Sequence, residues 1–434
     1  MGRAYACRWG ACQSMQDLMS DMGPIMRRRF SKARLMIGLL TGLVIAPDVN
    51  APAYANSAFD TFIASVRTEA AGQGVSEKYL AALDTLQPEP EVTRLASSQP
   101  EYVKPIWAYL DHLITPNRLI LGRENLGDYR QYVDGLEAQY GVPAEIIVAI
   151  WGVETNYGSN KGSFQVLQAL ATLGYEGRRA KFGRQQLLAA LQILQSGDVA
   201  LGDFYGSWAG AMGHTQFIPT TYLAYAADGT GDGKRDVWTS PHDALASTAN
   251  YLKISGWQRG IPWGLEVALP AKFDYSVAGL DQRKPASFWR ARNVRAAAGN
   301  AELPDRFGEM SLFLPSGHRG PAFLVTQNFR ALLRYNTAPA YALAVGRLSE
   351  RFSGTVPLKG IWPTGDRPLK PNEIFTLQRF LRSAGYLIGD IDGVAGRKTI
   401  AAIRKYQRDA GLIADGYPTP GLLTHLRQKN QLKN

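Results

Sequence analysis

The stretch IIVAIWGVETNYG, from Ile146 to Gly158, constrains the fold of this 434-residue chain most, because it is almost entirely apolar yet carries one glutamate near its end. With Pro143 as an early helical residue, Ile147, Ile150 and Glu154 fall on one face of a helix. That face is the apolar stripe that a folded protein buries. The spacing therefore predicts that Glu154 points from the buried side of a helix.

A carboxylate on an apolar face loses hydration, which disfavours its charged form and raises its pKa. A carboxyl group that still holds its proton near neutral pH is what a general acid for glycosidic cleavage needs. A glutamate at a helix end can equally reach solvent or a neighbouring amide. The position of Glu154 alone leaves both interpretations open.

The amino-terminal segment is typical of an export signal. Basic residues crowd 27–34, an apolar run fills 35–46, and Ala53-Tyr54-Ala55 forms a small-x-small site. We therefore predict a signal peptide over residues 1–55, with translation starting at Met26 as one interpretation of the unusual residues before it. The alternative is a membrane anchor, but the apolar run is shorter than the roughly 20 residues of a spanning helix. Whether export uses the general or the twin-arginine route stays open.

The composition of the exported chain indicates its compartment and its partner. Both cysteines, Cys7 and Cys12, precede the predicted cut, which leaves 41 basic and 34 acidic residues and a net charge of +7. A chain without disulfides or lipid-bearing cysteine fits a periplasmic protein, soluble or wall-associated, without stable membrane insertion. The positive charge favours an acidic polymer, and export favours a cell-wall glycan over nucleic acid. Charge could also serve solubility alone.

The rest of the chain divides at a stretch rich in glycine and proline. Residues 56–352 read as mainly helical, with helix starts at Ser76 and Pro143 and helix stops at Gly141, Gly158 and Gly174. Within this part, GLEVALP and PAFLVTQ predict two strands of a small inserted lobe between about 263 and 325. Residues 353–368 read as a linker, and 369–434 as a second, smaller domain.

The carboxyl-terminal segment contains a weak internal repeat. LQRFLRSAGYLIGDIDG and YQRDAGLIADG each run from a glutamine through a glycine to an Asp-Gly turn, as a helix that ends at glycine would. The spacing of these glutamine, glycine and Asp-Gly positions resembles that of the three-helix peptidoglycan-binding domain of bacterial wall enzymes. A capped helical bundle without a ligand explains the glycines but not their occurrence in a basic, exported chain.

Four separated motifs occur in order within residues 56–352. They are AIWGVETNYGSNKGSFQVLQALATLGY, GSWAGAMGHTQFIPTTYLAYAADGTGDGKRDVW, ANYLKISGW and LLRYNTAPAYALAVG. Together they resemble the lytic murein transglycosylase B family. The resemblance implies a lysozyme-like, mainly α fold of α+β type, and it gives Glu154 the place of the family's single catalytic acid and base.

The same resemblance implies a set of cleft residues around that acid: Ser207, Gln216, Tyr251, Tyr335, Asn336 and Tyr341. Amides could orient the substrate's acetamido group and tyrosines could stack on sugar faces. Each position also has a structural alternative, since Tyr251 and Tyr341 could be core aromatics and Ser207 a helix cap. The chain has GHTQF where the family typically has G-Y-G-Q-F, so we expect a structural role for His214.

A cation loop is the next candidate site. In DGTGDGK, oxygen-bearing side chains stand at positions 1, 3 and 5 and glycine at 6, as in an EF-hand calcium loop. The candidate ligands are Asp228, Thr230, Asp232, Lys234 and Asp243, the last standing in for the glutamate that is missing where Thr239 lies. A solvated Asp/Gly turn is the alternative. Any calcium bound here would be structural, and no cofactor is required for catalysis.

Other hydrolase classes are disfavoured, because the sequence has neither a G-x-S-x-G elbow nor an H-E-x-x-H pair. The resemblance to the lytic murein transglycosylase B family implies an enzyme that cleaves the β-1,4 bond between N-acetylmuramic acid and N-acetylglucosamine in peptidoglycan strands, leaving 1,6-anhydro ends. A hydrolytic muramidase and a non-catalytic peptidoglycan-binding scaffold are the alternatives. The sequence gives no indication of protein partners.

Overall fold

The structure is a computed structural model, and it describes residues 53–97, 104–175, 177–354, 357–386 and 389–431. The predicted signal peptide, as far as residue 52, lies outside the described residues, and the first helix begins at Ala53. Within the described ranges the chain forms two compact units. The first comprises 104–158 and 225–431, and the second comprises 53–97 and 159–224.

Helices dominate both units, as predicted. The second unit contains α1 (Ala53–Gly72), α2 (Glu77–Leu80), α3 (Pro90–Ser97), α8 (Val166–Tyr175), α9 (Ala180–Ser196) and α10 (Pro219–Tyr225), the last ending at the unit boundary. The first unit contains α4 (Ile106–Leu113), α5 (Pro116–Asp128), α6 (Arg130–Tyr140), α7 (Ala144–Thr155), α11 (Pro241–Ile254), α12 (Ala286–Arg290), α13 (Gln327–Tyr335), α14 (Pro339–Phe352), α15 (Pro371–Ser383), α16 (Arg397–Asp409) and α17 (Pro420–Gln431).

Two antiparallel sheets accompany the helices. A two-stranded ribbon in the second unit pairs β1 (Phe164–Gln165) with β2 (Tyr205–Gly206). The first unit carries a five-stranded sheet of order β4-β6-β7-β3-β5, from β3 (Gly264–Ala268), β4 (Lys284–Pro285), β5 (Arg295–Ala296), β6 (Glu309–Phe313) and β7 (Ala322–Val325). The two strands predicted from GLEVALP and PAFLVTQ are β3 and β7, and they pair directly, with Leu265 opposite Leu324.

The core of the first unit forms around α7. Every residue of α7 is buried except Glu145 and Glu154. The helix packs against α5, α6, α11 and α14, so its apolar residues meet neighbours on most sides. Burial of so many aliphatic side chains stabilises the fold through the removal of apolar surface from water. The prediction of a buried helix is confirmed.

Glycines mark some of the predicted helix ends and not others. Gly141 ends α6 in the left-handed conformation, with φ of 76°, as predicted. The stop predicted at Gly158 is wrong by three residues, because α7 ends at Thr155 and Asn156 takes the left-handed position. The stop predicted at Gly174 is one residue early, because α8 ends at Tyr175, and Gly174 has no positive φ. A Cβ on Gly174 would lie 2.8 Å from the backbone nitrogen of Arg184, so this glycine allows α8 and α9 to pack closely.

The stretch 357–368 of the predicted linker contains no helix or strand, yet it makes specific contacts with other parts of the first unit, to which it belongs. Both carboxylate oxygens of Glu266 accept backbone hydrogen bonds, from Lys359 at 2.9 Å and from Gly360 at 2.6 Å. The ring of Trp362 packs against that of Trp107, with centroids 6.4 Å apart. These contacts hold the stretch in place along the first unit.

The segment after the linker folds into the predicted three helices, α15 to α17. They share a separate small core that includes Leu377, Leu381, Ile403 and Leu426. Among the described residues, no helix has both the length and the apolar character needed to cross a lipid bilayer.

Candidate active site

Glu154 stands in the last turn of α7, where its carboxyl group meets α14. The Tyr341 hydroxyl donates a hydrogen bond of 2.6 Å to Oε1 of Glu154. Burial raises the pKa of Glu154 to about 7, and the hydrogen bond from Tyr341 acts in the opposite direction. The carboxyl group can therefore both donate and accept a proton near neutral pH, which is what a general acid and base requires.

The backbone turns sharply directly after this carboxyl group. Asn156, Tyr157 and Gly158 all have positive φ, at 49°, 59° and 83°. Two consecutive non-glycine residues in this region store conformational strain, which the surrounding contacts must offset. The amide of Gly158 donates to the Thr155 hydroxyl at 2.9 Å, which ties the turn to the end of the helix.

Tyr157 is the contact that holds this turn. Its ring folds back over α7, and its hydroxyl donates to the Arg118 carbonyl at 2.7 Å. A Cβ on Gly152 would lie 2.6 Å from the Tyr157 hydroxyl oxygen, and one on Gly122 would lie 2.4 Å from it. The glycine and tyrosine of the GVETNYG motif therefore act together to fix the helix end that carries Glu154. Sequence reasoning missed this pair, although the spacing was visible in the motif.

Three of the predicted cleft tyrosines lie together in the first unit. Tyr341 is 2% exposed, and its ring stacks on Tyr335 with centroids 6.3 Å apart and planes 9° apart. Tyr335 in turn meets Tyr251 edge-on at 5.1 Å. The Tyr251 hydroxyl donates to the Arg334 carbonyl at 2.6 Å, and burial raises the pKa of Tyr251 to about 12. The aromatic row extends to Tyr225, which the sequence analysis did not select.

Asn336 links the two helices that carry Tyr335 and Tyr341. It follows the last residue of α13, and its Oδ1 accepts a hydrogen bond of 3.0 Å from the backbone amide of Ala338. Ala338 is the residue immediately before α14. Asn336 therefore shapes the short connection that leads to Tyr341, the third residue of α14.

Ser207 and Gln216 belong to the second unit. Ser207 follows β2 and caps no helix, because its hydroxyl accepts the Ala211 amide at 3.0 Å within a tight turn. Gln216 has a φ of 55°, and its Nε2 donates to the carbonyls of Lys161 and Gly213 at 3.2 and 3.0 Å. His214 is buried, at 7% exposure. Catalytic contacts for these residues stay predictions.

The predicted cation loop is held together by its own backbone. Asp228 accepts hydrogen bonds from the amides of Gly231 and Gly233, and these bonds lower its pKa. Asp243, fully buried, accepts the amides of Gly229, Thr230 and Asp236 at 2.8 to 3.1 Å. Burial raises the pKa of Asp243.

These hydrogen bonds already use the carboxylates that would have to bind calcium. Asp232 likewise accepts the amide of Lys234 at 2.8 Å, and the Thr230 hydroxyl donates to Asp228. Within the described ranges no group of three or more His, Cys, Asp or Glu side chains is arranged to hold a metal ion. The arrangement therefore fits an Asp/Gly turn, and calcium at this loop stays a prediction.

The chain matches two protein families. Residues 58–350 match the family described as transglycosylase SLT domain, which covers more than half of the sequence. Residues 370–426 match a peptidoglycan binding domain. The first match spans the described site residues of both units, and the second spans the three terminal helices.

Individual relatives agree with the family matches. The membrane-bound lytic murein transglycosylase B of Escherichia coli (strain K12) is 34% identical over 256 residues, which span 56% of this chain and slightly under two thirds (66%) of that protein. SltB3 from Pseudomonas aeruginosa, solved with NAG-anhNAM-pentapeptide, is 50% identical with a TM-score of 0.82, covering 85% of this chain and 99% of SltB3. The E. coli transglycosylase Slt35, solved with calcium, is 29% identical with a TM-score of 0.58, covering 71% and 98%. The chain thus belongs to the transglycosylase SLT domain family of lytic transglycosylases.

Proposed function

We propose that this protein cleaves the β-1,4 bond between N-acetylmuramic acid and N-acetylglucosamine in peptidoglycan and leaves 1,6-anhydromuramyl ends, with Glu154 as its single acid and base. The observation that carries the proposal is the setting of Glu154. Its carboxyl group has a pKa of about 7, Tyr341 donates to it, and no other carboxylate shifts its pKa in the part of the chain that is described.

Among the described residues, no second carboxylate contributes to the pKa of Glu154, and this favours one reaction course. Retaining hydrolysis uses a carboxylate nucleophile about 5 Å from the acid, and inversion uses a more distant one to activate water. With a single carboxylate, the nucleophile has to come from the substrate. In the first step, the carbonyl oxygen of the muramic acid 2-acetamido group attacks C1 while the Glu154 proton passes to the leaving glycosidic oxygen.

The second step returns the proton. Glu154, now ionised, takes the proton from the C6 hydroxyl of the same sugar, and the resulting oxygen attacks C1. The bond from C1 to the acetamido oxygen breaks, the 1,6-anhydro ring closes, and Glu154 is protonated again. Water is not consumed. A pKa near 7 suits both steps, because neither protonation state is strongly favoured near neutral pH.

The other predicted site residues supply binding and orientation in this proposal. The rings of Tyr251 and Tyr335 offer apolar faces for the sugars. Tyr341 orients the carboxyl group through its hydrogen bond, and the amides of Asn336 and Gln216 suit the substrate's acetamido group. Ser207 completes the set as a smaller polar contact.

The relatives support this substrate and product. SltB3 has been solved in complex with both NAG-NAM-pentapeptide and NAG-anhNAM-pentapeptide. The first pairs the two sugars of an intact strand, and the second contains the anhydro sugar that the proposed second step forms. We extend both ligands from that protein to this one on the strength of the family membership and the setting of Glu154.

The proposal also includes the compartment in which the enzyme acts. A periplasmic protein, exported by the signal peptide predicted over residues 1–55, would meet peptidoglycan directly, and the segment 369–434 would bind the wall as a separate domain after the linker at 353–368. The match of residues 370–426 to a peptidoglycan binding domain supports the second role. The basic composition of the exported chain supports both, since peptidoglycan carries carboxylates.

Digestion of purified sacculi in water enriched in oxygen-18 tests the proposed course. Transglycosylation predicts products that carry no heavy oxygen at C1 and lack one water relative to reducing ends. A hydrolytic muramidase would place heavy oxygen on C1 of each new end. A non-catalytic scaffold would release no product.

A further inference from the structure

The terminal three-helix segment builds the same local structure twice. In the first repeat, Oε1 of Gln378 accepts the amides of Asp392 and Gly393, while its Nε2 donates to Asp392 at 2.9 Å. In the second repeat, Oε1 of Gln407 accepts the amide of Gly416 and its Nε2 donates to Asp415, also at 2.9 Å. Each glutamine thus clamps one Asp-Gly turn. The two turns are structurally equivalent, but their surroundings differ.

The turn of the second repeat is covered by the connection between β6 and β7. Oδ2 of Asp415 lies 2.6 Å from Nδ1 of His318 and accepts the His318 backbone amide at 3.0 Å. The Asp415 side chain is only 5% exposed. Gly317 has a φ of 72°, and a Cβ there would lie 2.7 Å from Asp415 and 2.8 Å from Tyr417. The backbone of the sheet lobe therefore fits closely against this turn.

The helix of the second repeat also faces the sheet lobe. Burial lowers the pKa of Arg404, and the carboxylates of Asp281 in the lobe and Asp415 in the turn act against that shift. A Cβ on Gly279 of the lobe would lie 3.5 Å from the Arg404 guanidinium. The second repeat thus makes contacts within the protein, and these contacts attach the terminal three-helix segment to the lobe that contains the five-stranded sheet.

The first repeat presents its equivalent positions to solvent. Val394, which follows Asp392-Gly393 as Tyr417 follows Asp415-Gly416, is 59% exposed. Phe375 precedes Gln378 by three residues, as Arg404 precedes Gln407, and is 42% exposed. The turn lies beside the start of α15, since a Cβ on Gly393 would be 2.9 Å from the Pro371 carbonyl oxygen. The two exposed apolar side chains therefore belong to neighbouring parts of one surface.

Basic side chains join this surface. Arg379 and Arg382 follow Phe375 at i+4 and i+7 on the same face of α15, and both are exposed. Arg382 donates to the Gly389 carbonyl at 2.9 Å, whereas Arg379 has no partner among the described residues. The segment 369–434 has eleven Lys and Arg against five Asp and Glu, a net charge of +6. An exposed ring beside a guanidinium group suits a sugar face that carries a carboxylate nearby.

We propose that the terminal segment binds peptidoglycan through this first-repeat face, defined by Phe375, Arg379 and Val394, because the equivalent face of the second repeat is used to attach the segment to the sheet lobe. The ligand is a glycan strand with its anionic stem peptide, and the inference rests on the proposed function of the segment. Phe375 packs on a sugar ring, and Arg379 pairs with a carboxylate.

Binding of the full exported chain to purified sacculi tests this face. All variants carry Glu154→Gln so that the sacculi are not digested, and the fraction that pellets is measured against sacculus concentration. We expect Phe375→Ala and Arg379→Glu each to weaken binding about tenfold, as aromatic and arginine contacts at the centre of an interface do. Val394→Ser is expected to weaken it several-fold.

Two matched controls make the same chemical changes elsewhere in the segment. Arg427→Glu reverses a charge on an exposed arginine of α17, and Ile413→Ser removes an apolar side chain that is 49% exposed in the second repeat. Both are expected to bind like the parent. Full binding by Arg379→Glu and Phe375→Ala, or an equal loss in the two controls, would overturn the assignment of the face.

Failure of the proposed function gives a different result. The same substitutions are made with Glu154 intact, and cleavage of a short soluble glycan is measured. If the Glu154→Gln parent pellets with sacculi and its face variants lose binding, but the chain with Glu154 intact releases no product, the proposed reaction is refuted and the binding face stands. If the chain with Glu154 intact cleaves, but the face variants pellet like the Glu154→Gln parent, the face alone is refuted.

Discussion

Glu154→Gln should change the pH dependence of stability as well as abolish cleavage. The pKa of Glu154 is about 7 in the folded chain and 4.5 for a solvated glutamate, so the folded state holds this proton more tightly. The associated stability is fully present below about pH 4.5 and is lost as the pH rises through 7. From below pH 4.5 to above pH 7, the free energy of unfolding falls by about 3 kcal/mol. Glutamine has no proton to lose and therefore avoids this loss.

The expected result is a melting-temperature difference that grows with pH. For about 380 folded residues, 3 kcal/mol corresponds to about 4 °C. Relative to the parent, Glu154→Gln should therefore gain about 4 °C between pH 4 and pH 9, measured by circular dichroism in buffers of equal ionic strength. Glu124→Gln, at an exposed position on α5, controls for the removal of a carboxylate elsewhere. A difference that stays constant across this range would refute a raised pKa at Glu154.

Three further outcomes follow from the site. Tyr341→Phe removes the hydrogen bond that lowers the pKa of Glu154, so the alkaline limb of the kcat/KM profile should move to higher pH; an unmoved limb would contradict that coupling. Gly152→Ala should reduce stability by about 1–3 kcal/mol in a denaturant titration, because its Cβ would enter the space of Tyr157. Gly127→Ala, where a Cβ meets nothing within 4 Å, is its control, and equal losses would refute the steric explanation. Chelation with EGTA should leave the anhydro fraction of the products unchanged by mass spectrometry, because in the proposed reaction Glu154 carries both proton transfers; a lower fraction would contradict this.

Much of the fold could be predicted from periodic patterns. The burial of α7 followed from its continuous apolar residues, and the two short strands of the lobe followed from the segments GLEVALP and PAFLVTQ. Glycine was a less reliable signal because it serves two purposes. Gly141 ends a helix through its left-handed backbone, whereas Gly174 lies inside α8 and permits close packing against α9. The sequence alone does not separate a conformational role from a packing role.

The site was predictable where one residue's own setting decides its chemistry. The raised pKa of Glu154 follows from its place on an apolar helix, and the GVETNYG motif pointed to this residue. Tyr341 lies 187 positions away, so its hydrogen bond to Glu154 depends on long-range packing of α14 against α7. The close contact between Gly152 and Tyr157 depends on a strained turn that single-residue propensities disfavour. Such features were beyond local pattern reasoning.

The attachment of the terminal segment was equally hidden in the sequence. A stretch rich in glycine and proline reads as a spacer, yet Glu266 binds its backbone and Trp362 packs on Trp107. The repeated Gln and Asp-Gly pattern predicted two similar turns. It gave no sign that Asp415 would pair with His318 while Asp392 stayed exposed, because that difference arises from the neighbouring lobe.

Mass spectrometry of the muropeptides that the exported chain releases from purified sacculi tests the central claim most directly. The parent is predicted to release 1,6-anhydromuramyl products, and Glu154→Gln is predicted to release none while it keeps its fold. Reducing-end products from the parent, or anhydro products that persist in Glu154→Gln, would contradict the single-carboxylate mechanism.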